Sequence, residues 1–150
     1  MKQRMGGFTL IELLIVIAII AILAAAIIIG LNPARQFSQA RNSQRWSHTN
    51  AMLNAVNQNV ADNSGNWTCT TGALPATATA MKSGTGGYDV CGCLVTTYMS
   101  SLPFDPSATG AHYTSCSDYD TGYSVSKDTT GRITVAAPSA EVGASISVSN

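Results

Sequence analysis

FTLIELLIVIAIIAILAAAIIIGL, residues 8–31, is the stretch from which the rest of the chain is read. Of its 24 residues only Thr9, Glu12 and Gly30 depart from apolar side chains. As an α-helix rising about 1.5 Å per residue, the run covers about 36 Å, enough for the hydrocarbon core of a bilayer. Its one carboxylate is the anomaly. An acid in such a span costs about 2.5–3.5 kcal/mol near the centre and less towards an end. A plain anchor has no use for that cost, so Glu12 is expected to have a partner.

The residues in front, Met1-Lys2-Gln3-Arg4-Met5-Gly6-Gly7, carry two cations and no anion and end in two glycines. A secretory signal puts its small-residue cleavage site after the apolar region; here the small residues come before it. MKQRMGG followed by FTLIELLIVIAIIAIL resembles the leader and N-terminal segment of type IV pilins and of type II secretion pseudopilins. The resemblance covers residues 1–31 and rests on a basic leader, Gly7 at the cut, Phe8 next, and Glu12 shortly inside the mature chain. It implies that a prepilin peptidase cleaves after Gly7, that the new N-terminus at Phe8 is methylated, and that Glu12 docks the subunit into a growing filament. Physics supplies a reason. In an apolar bundle the Phe8 ammonium and the Glu12 carboxylate are opposite charges in need of partners. Pairing Glu12 with a neighbour's N-terminus satisfies both and favours one register. The bland alternative leaves Glu12 solvated at the membrane interface.

A chain of 150 residues accommodates one domain and an anchor. Its formal net charge is zero, and loss of Lys2 and Arg4 with the leader leaves an acidic excess. By the positive-inside rule the same two cations keep the leader in the cytoplasm, so everything after Leu31 faces outward. Arg35, Arg41 and Arg45 recur along the helix, but beyond it only Lys82, Lys127 and Arg132 are basic, so a DNA-binding patch is weakly supported. His48 and His112 stand alone. Among nucleophile, zinc-protease and phosphate-loop motifs none occurs, so no enzyme is expected.

Gly30-Leu31-Asn32-Pro33 weakens the helix, because Pro33 lacks an N–H and Gly30 disfavours helical backbone. Residues 34–62 again read as helix, with Met52, Leu53, Val56 and Val60 on one face. The expectation is one long helix over 8–62, kinked or locally unwound near 30–33. Asn63-Ser64-Gly65-Asn66 ends it. Residues 67–87 read as a loop with room for a short strand or turn, and Asn66-Trp67-Thr68 is a weak glycosylation sequon. Leu94, Tyr98 and Leu102, with Val95 and Met99 beside them, predict a short amphipathic helix stopping at Pro103. Leu102-Pro103-Phe104-Asp105-Pro106 follows and resembles the LPxDP element of pseudopilins and pilins; its prolines fix an extended turn that Asp105 can cap. Three strands follow: one at Tyr123 and Val125, a turn over 128–131, one at Ile133 and Val135, and one over 145–148. The fold class is therefore α+β. A leader over 1–7, a transmembrane or polymerisation helix over 8–31 and its amphipathic continuation over 32–62 precede a head over 63–150 with a small antiparallel sheet.

Cys69, Cys91, Cys93 and Cys116 give an even count in a segment placed outside the membrane, which favours two disulfides. Cys91 and Cys93 are too close to pair, leaving Cys69–Cys91 with Cys93–Cys116, or Cys69–Cys93 with Cys91–Cys116. A zinc site built from Cys91, Cys93 and either His112 or Cys116 has unusual spacing. Asp118, Asp120 and Asp128 are Ca²⁺ candidates without an EF-hand pattern; otherwise no cofactor is expected.

Three roles share the leader, Glu12 and helix. The first is a homo-oligomeric type IV pilus filament, serving motility or cell adhesion, whose subunits wait in the inner membrane and are then assembled outside the cell. The second is a secretion pseudopilin, and the third a minor pilin whose head binds DNA or a surface. The polar loop and four cysteines favour the pilin; the LPxDP element keeps the pseudopilin in view.

Overall fold

A computed structural model describes residues 7–150, so residues 1–6 of the leader expected over 1–7 lie outside the described residues. The chain divides into two compact units, Met1–Phe37 and Ser38–Asn150. In the first, helix α1 runs from Leu10 to Leu31 and helix α2 begins at Pro33. The expected weak point is a single residue. Asn32 takes the left-handed conformation, φ 42°, which ends α1, while its side-chain oxygen accepts from the Arg35 N–H at 3.3 Å and caps the next helix. Pro33 then sits where a missing N–H costs nothing.

Helix α2 continues to Asp62 and forms one wall of the head. Its buried residues are Arg45, Thr49, Met52, Leu53, Ala55, Val56 and Asn59. The apolar face expected at Met52, Leu53 and Val56 is therefore present, and polar residues extend it at both ends. The helix ends as the sequence implied. Gly65, at φ 87°, donates its N–H to the Val60 carbonyl at 2.8 Å, closing the last turn.

Facing α2 is a five-stranded antiparallel sheet of β1 (Thr79–Lys82), β2 (His112–Ser115), β3 (Asp118–Lys127), β4 (Ile133–Ala137) and β5 (Ile146–Ser149). The order is β1-β3-β4-β5, with β2 paired to the start of β3. The three strands expected from alternation are β3, β4 and β5. Strands β1 and β2 go beyond that reading, because each spans four residues and β1 buries only Met81, too little to produce an alternating pattern. The core joins Met52, Leu53 and Val56 of α2 to Tyr123, Val125, Ile133, Val135 and Ile146 of the sheet.

The short amphipathic helix expected over Leu94–Leu102 does not form. One helical turn, α3, runs instead from Cys91 to Leu94. Val95 is extended and Thr96 takes φ 71°, while the N–H groups of Tyr98 and Met99 both reach back to the Leu94 carbonyl. Leu94 and Leu102 are nevertheless buried, so their apolar spacing reported burial correctly and conformation incorrectly. Covalent constraint explains the shift: Cys91 and Cys93 are bonded to Cys116 and Cys69, with Cα–Cα distances of 5.2 Å in each bridge. Of the two pairings left open by the sequence, the structure has Cys69–Cys93 and Cys91–Cys116. Together they tie the 67–87 loop and the β2–β3 hairpin to one helical turn.

Gly122 allows the sheet to meet the Leu102–Pro106 turn. It sits at φ 70°, and a Cβ there would lie 2.9 Å from the Asp105 Cβ and 3.1 Å from the Ala108 Cβ. Gly122→Ala is expected to destabilise the protein by about 1–3 kcal/mol, from backbone strain and this clash together. Chemical denaturation of the two proteins checks it; equal stability would show that the turn can move aside.

Candidate functional site

The candidate assembly site is the N-terminal end of α1. Gly7 and Phe8 precede the helix, with Phe8 89 % exposed, and Thr9 is its cap. The Thr9 N–H and hydroxyl donate to the Glu12 carboxylate at 2.9 and 2.8 Å, and the Glu12 N–H donates to the Thr9 hydroxyl at 3.3 Å. This is a reciprocal capping box. It holds the one carboxylate of α1 in the first turn, against the Thr9 N–H and hydroxyl, while its second oxygen makes no hydrogen bond among the described residues. Leu10, Ile11, Leu13 and Leu14, and large apolar residues along the helix from Ile15 to Ile28, are half or more exposed. Residues Leu10–Ile28 are long and apolar enough to cross a membrane.

A second constellation, which the sequence analysis did not single out, lies in the head. Arg45 is fully buried on α2. Its Nε and Nη2 donate to the two oxygens of Asp105 at 2.7 and 2.9 Å, Nη2 also reaches the Ser107 hydroxyl at 2.7 Å, and Nη1 reaches Glu141 at 2.8 Å. Asp105 does more than cap its own turn, although it accepts the N–H groups of Ser107 and Ala108 at 2.9 and 2.8 Å as expected. Glu141, on the β4–β5 loop, is held along the same helix by Ser38 and by a two-point contact from Arg41 at 2.7 and 2.6 Å. Asn42 completes the grip: its amide donates to the Glu141 carbonyl at 2.8 Å and accepts the Glu141 N–H at 3.0 Å. Towards the other end of the helix Asn59 likewise donates to the Thr68 carbonyl at 3.1 Å and accepts the Thr68 N–H at 3.0 Å.

Electrostatics follow from these contacts. The Arg41 and Arg45 hydrogen bonds pull the Glu141 pKa down from 4.5 to about 2. Burial pushes Asp105 upward, but the Arg45 guanidinium and the two turn N–H groups outweigh it and hold it below the ordinary value. Arg45 is driven above its already high value by Asp105 in spite of its burial. Two carboxylates therefore compensate one buried cation.

The remaining predicted residues are dispersed. Asp118 faces His112 at 3.1 Å, Asp120 accepts the Gly122 N–H at 2.9 Å, and Asp128 caps the β3–β4 turn through Thr130 and Arg132 at 2.9 Å each. Among the described residues no three His, Cys, Asp or Glu side chains converge on a metal position. The zinc alternative fails on chemistry, since all four cysteines are in disulfides. His48 sits 2.9 Å from the Tyr123 hydroxyl, with no nucleophile pattern around it.

These features define a chain with an exposed, membrane-length apolar helix and an acid in its first turn. Residues 2–28 match the family model described as the prokaryotic N-terminal methylation motif. The match includes Gly7, Phe8 and Glu12 and stops before the head. No curated protein and no solved structure matches the chain.

The contacts of Asp105 and Glu141 with Arg45 and Arg41 predict an acid limit on the head. Glu141 and Asp105 both have native pKa values below their unfolded ones, so their stabilisation is complete above about pH 4.5 and is lost as pH falls towards about 2. Thermal unfolding measured across that interval should show stability falling with pH; a flat profile would contradict the network. Asp105→Ala strands a buried guanidinium and is expected to cost about 3–5 kcal/mol at neutral pH.

Proposed function

We propose that the chain is the precursor of a type IV pilus subunit. It waits in the inner membrane through α1, is cleaved after Gly7 and methylated at Phe8, and is assembled into a helical filament by bundling of α1 helices. The observation that carries this reading is the placement of Glu12. It lies in the first turn of an otherwise apolar exposed helix, four residues from the new N-terminus, within the matched methylation motif.

Before assembly Glu12 is served by Thr9, which satisfies one oxygen. Cleavage creates a Phe8 ammonium that needs a counter-charge wherever water is scarce. In a bundle, the free oxygen of Glu12 and a neighbour's ammonium meet that need together, and a subunit one turn out of register leaves both charges bare. The role is structural rather than catalytic, and the partners are prepilin peptidase, the assembly machinery and further copies of the chain. A short periplasmic pseudopilus is the second reading, favoured by the Leu102–Pro106 turn that resembles the LPxDP element. No feature of the head favours a DNA or surface ligand.

Glu12→Ala tests the reading in cells. The variant is expected to insert, to be cleaved at Phe8 and to leave no filaments at the surface. Wild-type filament yield from the variant would refute the role of Glu12. Loss of cleavage as well would relocate the residue's role to recognition by the peptidase.

A further inference from the structure

The two disulfides of the head differ in what surrounds their sulfurs. Cys69 and Cys93 are both half-buried, and Cys93 follows the exposed Gly92, where an added Cβ would meet nothing within 4 Å. The Thr71 hydroxyl lies 3.0 Å from the Cys69 Sγ and 2.5 Å from the Asp89 carbonyl. In the other bridge Cys91 is fully buried in the apolar core, and the Tyr113 hydroxyl lies 3.9 Å from its Sγ.

Thiol–disulfide exchange depends on access to one sulfur and on how readily the other leaves as a thiolate. In Cys69–Cys93 these demands fall on different residues. Cys93 is open to a small nucleophile. Cys69 is the better leaving group, because the Thr71 proton can turn from the Asp89 carbonyl to a thiolate beside it. In Cys91–Cys116 an attack on the half-buried Cys116 would expel Cys91, and its apolar surroundings disfavour the thiolate.

The head also has a second hold on the segments that Cys69–Cys93 joins. The Asn59 amide donates to the Thr68 carbonyl at 3.1 Å and lies 3.5 Å from the Cys93 carbonyl, while its oxygen accepts the Thr68 N–H at 3.0 Å. Further along the loop, Trp67 donates to the Tyr88 hydroxyl and that hydroxyl to the Gly72 carbonyl, each at 2.7 Å. The Lys127 N–H reaches the Pro75 carbonyl and the Thr121 hydroxyl the Met81 carbonyl, each at 2.8 Å. These bonds remain when the covalent link is cut.

We propose that the Cys69–Cys93 bridge is a reversible modification site for a low-molecular-weight thiol, opening while the head stays folded. The thiolate of the small molecule attacks Cys93 Sγ and forms a new S–S bond there. The old S–S bond breaks, and its electron pair leaves on Cys69 as a thiolate beside the Thr71 hydroxyl. Attack by that thiolate on the Cys93 adduct expels the small thiol and restores the bridge. The exchange goes beyond the filament reading and does not depend on it.

The full chain in detergent, treated with millimolar glutathione at about pH 8, then alkylated and mapped by mass spectrometry, provides the test. Glutathione on Cys93, an alkyl label on Cys69, an intact Cys91–Cys116 bridge and unchanged circular dichroism are expected. An adduct on Cys69, earlier or simultaneous opening of Cys91–Cys116, or opening only as the dichroism is lost would overturn the site. So would the absence of any reaction in the folded protein. Thr71→Val, at an exposed position, should slow the opening several-fold, and an unchanged rate would refute the leaving-group role of Cys69. Replacing Cys69 and Cys93 together by serine should leave a folded head with a lower melting midpoint; an unfolded one would show that the bridge cannot open in the native state.

Discussion

Helix α1 leaves its apolar side chains exposed over a length that matches a bilayer, and that constraint shapes the account of the whole molecule. Such a surface cannot remain in water; lipid or other helices must cover it. Lipid covers every side chain in α1 well except Glu12, and a bundle of like helices covers all of them if Glu12 finds a cation. The structure holds that residue in a capping box through one oxygen, and the other makes no hydrogen bond among the described residues. In the proposed role, processing after Gly7 would create the matching cation four residues away, and maturation and assembly would be two halves of one electrostatic step.

The head solves a separate problem, how to hold long loops against a single helix when the apolar core is modest. It uses polar side chains with full sets of partners. Arg45 gathers the Leu102–Pro106 turn and the β4–β5 loop, and Asn42 and Asn59 each bind the backbone N–H and C=O of one residue of a crossing segment through both amide atoms. The disulfides do the same covalently around α3. A buried guanidinium is weak evidence for net stability, since an apolar replacement is often as stable. Its geometric consequence is stronger, because it fixes two distant backbones in one place.

Much of this was readable from the residues themselves. The apolar run over 8–31 admits few alternatives, and strands β3–β5 announce themselves because Tyr123, Val125, Ile133 and Val135 alternate with polar neighbours over one buried face. The turn over 128–131 was legible because Asp128 and Gly131 are turn formers with a mechanism. The helix expected over 94–102 failed because its apolar spacing reported burial, which a disulfide-held turn also provides. Arg45 was missed for a different reason. A helical arginine ordinarily reads as solvated, and its partners Asp105 and Glu141 lie far away in sequence. One signal was present: Arg45, Thr49, Met52, Val56 and Asn59 recur every three or four residues, which puts Arg45 on the face that Met52 and Val56 bury. The disulfide pairing had no such signal, since two cysteines one residue apart leave both connectivities open until the loop is placed.

The most direct test of the central claim is electron microscopy of fibres sheared from the cell surface, with the intact mass of their principal subunit. Thin helical fibres built from a chain that begins at methylated Phe8, with both disulfides formed, are expected. A processed chain held in the envelope without fibres would shift the role to a secretion pseudopilus. A chain still beginning at Met1 would contradict the account from its first step.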